Sequence, residues 1–317
     1  MAAPSIALDQ IHQFLSVPVE SLPIGIALPY AIYLKLSEKF VLLRDHGDVL
    51  TSERVAQLSE KKVDCAYIHG DDWRAFMNGL EKNLDEVGLL AGSEEAANNV
   101  RNVLFSYWRM IEEAGDLKPA LFVKLKENAA RIPIAIQANR DLAYSLLRRY
   151  HDPALYFANH SINIAVYSVA VGMKQRLGIE DLQELALAAC VANIGIIKIP
   201  REVLYKPSGL EPNEWDMVKQ HPQTGANLLR LLLVPPKVVQ GALEHHESID
   251  GKGYPFGRKE KEISLYARII AIGEAFSALT SPRPWGPAFS PVKAVEYMQS
   301  VSGRFDPRLL KSSISGG

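Results

Sequence analysis

The feature that most constrains the fold is the helical spacing of apolar residues over the last two thirds of the chain. From about residue 94 onward, apolar side chains recur every three or four positions, a spacing typical of amphipathic helices. Segments that contain glycine and proline interrupt this pattern, and those residues commonly end helices. The pattern predicts helices over 94–115, 121–150, 156–177, 181–193, 211–233, 236–248, 264–280 and 290–301.

The N-terminal segment shows a different pattern, in which short apolar runs alternate with helix signals. The runs at 30–36, 39–45 and 63–70 contain β-branched and aromatic residues, which favours strands. A capping residue at Thr51 or Ser52 and another at Asp71 each predict the start of a helix. This segment is therefore predicted to fold as a small α+β unit.

These two patterns predict a fold class of two domains, a small α+β N-terminal domain followed by an all-α helical bundle. The predicted boundaries are 1–92 for the small domain, 93–149 for a helical connector, and 150–317 for the bundle. The bundle is expected to end in a flexible tail with the sequence "SSISGG".

Composition limits the classes of partner and compartment. The chain of 317 residues has 35 basic and 36 acidic side chains, so it has no bulk attraction for nucleic acid or anionic membrane. No apolar run approaches the length of about 18 residues that a membrane span requires. The two cysteines, Cys65 and Cys190, have no C-x-x-C partner, which favours a reducing compartment. We expect a cytoplasmic protein without membrane insertion or direct nucleic-acid binding.

Histidines supply the clearest chemical signal. The stretch "LEHHESIDGKGYPFG" places His245 and His246 beside a glutamate and a glycine-rich loop, and His160 and His221 lie on other predicted helices. Because consecutive helical residues point about 100° apart, His245 and His246 are not expected to bind the same ion easily. They suit a site with several metals, or one ligand and one outer residue. The alternative is that these histidines are hydrogen-bonded structural residues.

The C-terminal half resembles an HD-GYP domain, a branch of the HD phosphohydrolase superfamily that hydrolyses cyclic di-GMP in bacteria. The resemblance rests on "NHSINIAVYSVAVG", "KPSGLEPNEWDMVKQHPQTGANLL", "HHESIDGKGYPFG" and "EISLYARIIAIGEAFSALTSPRPW", in this order over about residues 150–310. It implies a helical bundle with two or three metal ions, commonly iron or manganese. The metal ligands that it implies are His160, His221, His245, His246 and Glu274. The ligand-contacting residues that it implies are Lys252, Tyr254 and Arg283.

The sequence departs from this family at the signature itself. The family's His-Asp pair and its lysine fall on Ala192, Asn193 and Ile196. Alanine has no ligand atom, and the neutral asparagine amide cannot supply the bridging negative charge of a carboxylate. Lys198 lies two residues beyond Ile196, so on a helix it would point away from that position. The site is therefore predicted to be degenerate, with no catalytic residue assigned.

Three functions follow as hypotheses. The first is a catalytically impaired or inactive signalling module that acts as a receptor related to cyclic di-GMP or as a scaffold for a bacterial protein partner. The second is a divergent phosphodiesterase that hydrolyses cyclic di-GMP with a reduced metal site. Such a site would hold iron, manganese or zinc, with Asn193 as a weak oxygen ligand. The third is a structural domain that binds neither metal nor nucleotide.

Overall fold

The N-terminal part of the chain forms an antiparallel sheet of five strands. The computed structural model describes residues 5–6, 14–37, 39–87, 93–147, 150, 152–283, 286–301 and 303–314. The strands are β1 (Ser5–Ile6), β2 (Phe14–Pro18), β3 (Ile32–Leu36), β4 (Lys39–Arg44) and β5 (Cys65–His69). Their order in the sheet is β1-β4-β3-β5-β2. Helix α1 (Ser52–Glu60) lies between β4 and β5 in the chain, and α2 (Trp73–Val87) follows β5.

The three predicted strands are confirmed as β3, β4 and β5, and the small α+β unit is confirmed with them. Strand β2 was not predicted, because its sequence "FLSVP" is short and ends in proline. It pairs with β5 so that Phe14 lies opposite His69, and the Phe14 ring stacks on Phe40 with centroids 4.2 Å apart. Apolar contact across the sheet thus determines a strand that has little signal of its own.

The rest of the described chain is helical. Helices α3 to α15 make up this part, and short 3-10 segments interrupt them. In chain order the helices are α3 (Glu94–Ala114), α4 (Pro119–Ala129), α5 (Arg131–Ala138), α6 (Leu142–Leu146), α7 (Tyr156–Lys174), α8 (Ile179–Cys190), α9 (Arg201–Leu204), α10 (Pro212–Val218), α11 (His221–Leu231), α12 (Pro236–Glu244), α13 (Leu265–Thr280), α14 (Pro291–Ser300) and α15 (Pro307–Ile314).

Helix α3 is buried around most of its circumference and joins the sheet to the bundle. It packs against β2 and α2 on one side and against α4 to α7 on the other. Trp108 is fully buried, and its indole nitrogen donates to the carbonyl of Cys190 at 3.1 Å. Arg101 is buried as well, and its guanidinium donates to Asn159, the residue before His160. One continuous apolar core therefore links the two parts of the chain.

Several predicted helix boundaries are wrong. The predicted helix 121–150 is three helices, α4, α5 and α6. The predicted helix 211–233 is two helices, because Pro222 has no N–H and its ring is accommodated only in the first turn of a helix, here α11. Helices α8 and α12 end at Cys190 and Glu244, before Asn193 and His245. Asn193, His245 and His246 therefore lie on turns that follow helices.

The C-terminal end of the described chain is helical. Helix α15 reaches Ile314 and so includes the first three residues of the predicted flexible tail, while residues 315–317 lie outside the described part. The predicted boundary at residue 92 also lies outside it. Within the described ranges, none of the helices combines the length and the apolar character needed to cross a membrane.

A close approach of two backbones holds α11 in place. The 3-10 segment Ile194–Lys198 packs directly on the start of α11, and Gly195 provides the contact. A Cβ atom at Gly195 would lie 2.0 Å from the carbonyl oxygen of His221 and 2.7 Å from the nitrogen of Gly225. Any larger residue would therefore push the His221 helix away, because both obstacles are backbone atoms.

We predict that Gly195→Ala lowers the free energy of unfolding by about 3 kcal/mol through this overpacking. Urea unfolding followed by circular dichroism measures the change. Gly79→Ala is the matched control, since Gly79 lies on α2 with open space around its Cβ position. There the same substitution should stabilise the protein slightly, by about 0.5–1 kcal/mol. Equal effects of the two substitutions would contradict the role of the Gly195 contact.

Candidate metal centre

Three histidines form a cluster where the turn after α12 meets the start of α11. His221 is the first residue of α11, and His245 and His246 follow α12 directly. Their rings lie 4.1–5.3 Å apart between centroids, and one ligand atom from each lies within 4.8 Å of the others. This geometry does not support the expectation that His245 and His246 would not easily bind the same ion. That expectation assumed a continuous helix, whereas α12 ends at Glu244.

Hydrogen bonds to backbone carbonyls orient two of these rings. Nδ1 of His221 lies 2.7 Å from the carbonyl oxygen of Val218, and Nδ1 of His245 lies 2.7 Å from that of Ala242. A carbonyl oxygen can only accept, so each Nδ1 carries the proton and donates it. In a neutral ring the Nε2 atom then presents a bare lone pair, and these two Nε2 atoms face each other at 3.3 Å.

Burial keeps the cluster neutral. His221 and His245 are almost fully buried and His246 is half-buried. Desolvation disfavours the charged form, so burial lowers the pKa of His221 to about 3 and lowers the pKa of His245 and His246 as well. Neutral imidazole is the form that binds metals.

The geometry of the two Nε2 atoms fits a shared cation. Two lone pairs at 3.3 Å repel each other when nothing positive lies between them. Two nitrogen ligands at roughly 2.0–2.1 Å from one tetrahedral ion are separated by about 3.3 Å. Imidazole nitrogen suits zinc and iron, both of which are among the ions predicted for this site. His221, His245 and His246 are the residues that would hold such an ion.

Glu274 belongs to a second group of hydrogen-bonded side chains. Its Oε1 lies 2.9 Å from Nε2 of His160, and its Oε2 accepts from the amide nitrogen of Asn193 at 2.9 Å. Nδ1 of His160 lies 2.8 Å from the hydroxyl oxygen of Ser277. Both nitrogens of His160 and both oxygens of Glu274 therefore have protein partners, unlike the facing Nε2 atoms of His221 and His245.

The Glu274 carboxylate is ionised despite its burial. Desolvation by burial raises its pKa, but the attraction and hydrogen bond of His160, with contributions from His246 and His245, hold that pKa well below its usual range. Electrostatic coupling to His245 and His246 places this negative charge beside the histidine cluster. It is, however, outside the group whose ligand atoms lie within 4.8 Å of one another.

The three positions that match the family's signature residues are all buried. Ala192 is fully buried in the main core, and Asn193 is buried and bonded to Glu274 as described above. Ile196 packs in a small apolar cluster with Tyr156 and Phe157. Lys198 does not replace the lost lysine, because its Nζ donates to the carbonyl of Gly115 at 2.7 Å, at the end of α3.

The loop between α12 and α13 is organised by a buried carboxylate that sequence reasoning did not assign. Glu247 accepts from the backbone nitrogens of Phe256 at 2.7 Å and Arg258 at 2.9 Å. The loop folds so tightly that a Cβ at Gly253 would lie 2.3 Å from the nitrogen of Ser248. This closure brings Tyr254 onto His246, with ring centroids 4.7 Å apart and planes inclined by 22°.

The predicted ligand-contacting residues have different surroundings. Tyr254 lies against the histidine cluster, and burial raises the pKa of its hydroxyl, which keeps it a neutral donor. Arg283 is half-buried, and its Nε has no hydrogen-bond partner within the described ranges. Lys252 is different, because its side chain is 85% exposed and points to Asp250 at 3.7 Å. No described contact joins Lys252 to the histidines.

One further residue of the site could have been found from the sequence. Ser277 lies three positions after Glu274 on α13, and residues with this spacing share a helix face. Glu247 was visible as the glutamate of "HHE", but its role depends on a loop conformation that the sequence pattern does not specify. The sequence also contains a His-Asp pair at positions 151 and 152, which precedes His160 and lies outside the signature context. Asp152 accepts from the nitrogen of Ala154 at 2.8 Å, and His151 lies outside the described residues.

Comparison with known protein families identifies this arrangement. The sequence matches the HD domain family over residues 135–309, more than half of the chain. The chain belongs to the HD domain family. Within this HD protein, the match includes the histidine cluster, Asn193 and Glu274. The predicted all-α HD bundle is confirmed.

Similar proteins include cyclic di-GMP phosphodiesterases, the activity that the resemblance to the HD-GYP branch implies. A cyclic di-GMP phosphodiesterase of Pseudomonas aeruginosa is 35% identical over 160 residues, which is 50% of this chain and 39% of that protein. A cyclic di-GMP phosphodiesterase response regulator of Xanthomonas campestris is 37% identical over 156 residues, which is 47% of this chain and 40% of the relative. The matches thus span about two fifths of the relatives' own length.

A solved structure extends the likeness to the whole fold. An HDG"Y"P protein from Bdellovibrio bacteriovorus superposes with a TM-score of 0.72 at 19% identity, covering 95% of this chain and 98% of that one. The N-terminal sheet is therefore part of a shared fold. The predicted resemblance to HD-GYP proteins is confirmed by these relatives together with this structure.

We predict that the metal-free HD protein loses stability as the pH falls from about 6.5 toward 3. In this range histidines of the unfolded chain bind protons, whereas His221 stays neutral in the fold down to about pH 3, so acid favours unfolding. The slope should be at most about 1.4 kcal/mol per pH unit for each such histidine. Urea unfolding in the presence of a chelator, repeated at several pH values, measures it.

His221→Gln should make this acid dependence shallower. His46→Ala is the control, because hydrogen bonds with Asp45 and Asp72 raise the pKa of His46, which is the opposite direction. Its removal should leave the slope unchanged or slightly steeper. An identical slope in the wild type and His221→Gln would contradict a neutral buried His221.

Proposed function

We propose that this HD protein is a metal-dependent phosphodiesterase that acts on a cyclic dinucleotide, with cyclic di-GMP as the first candidate, through a reduced metal site. The observation that carries the proposal is the pair of Nε2 lone pairs of His221 and His245, oriented toward each other at 3.3 Å. The cyclic di-GMP phosphodiesterase activity for which the two relatives are named supports the choice of substrate class. A bound divalent ion would supply charge neutralisation at the phosphate and a more acidic water.

Side chains of the protein would bind the phosphate and position the reacting groups. Arg283, with its unpartnered buried Nε, suits a phosphate oxygen, since arginine makes strong charge-assisted bonds to phosphate. Tyr254 supplies a neutral hydroxyl donor beside His246. The ionised Glu274 carboxylate lies near the cluster, and with both oxygens hydrogen-bonded it would supply a fixed negative charge beside the bound ion. In the hydrolysis, water adds to phosphorus and one ribose oxygen leaves, which opens the cyclic dinucleotide.

The losses at the signature predict slow turnover. Ile196 and its apolar neighbours stand where the resemblance implies a lysine near the scissile phosphate. Removal of one charge-stabilising group commonly lowers the rate by about two to three orders of magnitude. We therefore expect hydrolysis that is measurable but well below that of relatives with an intact signature.

The second candidate function is a receptor that binds the nucleotide without hydrolysing it. It is favoured by the same apolar replacement at Ile196 and by the absence of a ligand atom at Ala192. In this role Arg283 and Tyr254 would still contact phosphate. A protein partner would then recognise the nucleotide-bound form of the protein. The catalytically impaired signalling module predicted from the sequence thus stays open as a proposal, although the relatives favour the phosphodiesterase.

We predict that purified protein incubated with Mn²⁺ or anaerobic Fe²⁺ converts cyclic di-GMP slowly to its linear product. Removal of the Nε2 ligand in His245→Ala should reduce turnover to the metal-free background, a loss of at least about a hundredfold. Chromatography of the products measures both rates. His46→Ala, which removes an exposed histidine of the N-terminal sheet region, should leave turnover unchanged.

Calorimetric titration with the same nucleotide separates the two candidates. Heat of binding without product would contradict the phosphodiesterase and support the receptor. Neither heat nor product would contradict both and favour the structural domain.

A further inference from the structure

The second group of side chains raises the question of how many cations the centre takes. The resemblance implies two or three, and the proposed function requires only one, held by His221, His245 and His246. The remaining family ligands are replaced or engaged in this chain. The residues at the positions of these implied ligands decide whether a second ion can bind.

Asn193 and Glu274 form a pair that needs no cation. The Asn193 amide nitrogen donates to one oxygen of Glu274 at 2.9 Å, and His160 contacts the other oxygen at 2.9 Å. An aspartate at position 193 could not donate to this carboxylate. Two ionised carboxylates at that distance in a buried site would repel strongly unless a cation lay between them. The amide thus supplies, through a hydrogen bond, the compensation that a bridging ion would otherwise provide.

His160 has no lone pair left for a metal. Its Nε2 is used by Glu274 and its Nδ1 by the hydroxyl of Ser277 at 2.8 Å. One side of its ring is covered by the ring of Tyr156, with centroids 5.2 Å apart and planes inclined by 16°. Binding a second ion would require breaking the bond to Glu274, which also carries the bond to Asn193.

The neighbouring positions are filled by apolar groups. Ala192 is completely buried and offers only a methyl group. Tyr156, one helical turn before His160 on α7, packs with Ile196 in a cluster that is almost closed to solvent. A divalent ion placed against these groups would lose its hydration without gaining ligands, which is strongly unfavourable.

We infer that this chain binds a single divalent cation, at His221, His245 and His246, and that the Asn193–Glu274–His160 unit takes the place of a second one. The inference rests on the proposed function only for the first cation. Glu274 then acts as a fixed negative charge beside the ion, held by Asn193 and His160, rather than as a bridge between two ions.

The test is the number of Mn²⁺ ions bound by the full chain and by Asn193→Asp. Metal-free protein is titrated with Mn²⁺, bound metal is counted by elemental analysis after gel filtration, and electron paramagnetic resonance reports whether the ions are isolated or spin-coupled. We expect about one ion per chain in the wild type, with the resolved hyperfine lines of isolated Mn²⁺. Asn193→Asp replaces the donating amide with a carboxylate, so a second Mn²⁺ ion should bind between the two carboxylates, giving about two ions per chain and a spin-coupled spectrum.

Asn227→Asp is the matched control, since it makes the same chemical change at an exposed residue of α11 that accepts from Arg230. It should bind the same number of ions as the wild type. Two coupled ions in the wild type would overturn the inference, and so would a single ion in a folded Asn193→Asp. If no variant binds Mn²⁺, Fe²⁺ or Zn²⁺, the proposed metal centre itself fails, an outcome distinct from either of these.

Discussion

Two hydrogen bonds from imidazole Nδ1 atoms to backbone carbonyls determine the chemistry of this centre. Through these bonds, Val218 and Ala242 fix the tautomers of His221 and His245, and the geometry turns both Nε2 lone pairs inward. Because the rings are buried, they remain neutral. An arrangement with two opposed lone pairs is unfavourable without a positive charge between them. The backbone conformation at the ends of α10 and α12 therefore prepares the cluster for a cation.

The centre consists of two groups of side chains with opposite properties. The three histidines on the α11 and α12 side have unused lone pairs, whereas His160, Asn193 and Glu274 satisfy each other. This difference has a simple electrostatic origin. A neutral amide can donate to a carboxylate, so the change to Asn193 removes the need for a counter-charge on that side. In the proposed single-cation site, the Asn193 hydrogen bond takes the place of the charge compensation that a bridging ion would give to Glu274.

Packing contacts hold these two groups of side chains next to each other, although their residues are far apart in the sequence. Gly195 allows the 3-10 segment after α8 to touch the backbone of α11, which places Asn193 and His221 on neighbouring elements. Gly253 and Glu247 close the loop that brings Tyr254 onto His246. Helix α3, with Trp108 bonded to the end of α8, ties this region to the N-terminal sheet. Each of these contacts depends on a close approach that tolerates no added atoms or on a buried polar group with a specific partner.

The sequence by itself determined the fold class and most helices, because apolar spacing is a local property. It gave the candidate site residues and the departure from the family's signature as predictions. It led to the wrong arrangement of His245 and His246, since helix periodicity assumes a helix that in fact ends at Glu244. One of the functional hypotheses included Asn193 as a weak oxygen ligand, and the sequence did not reveal that its amide nitrogen donates to Glu274. Only the tertiary structure decided which histidines converge and which are already satisfied. The physical reason is that hydrogen-bond partners and burial come from residues as much as 117 positions apart, as for His160 and Ser277.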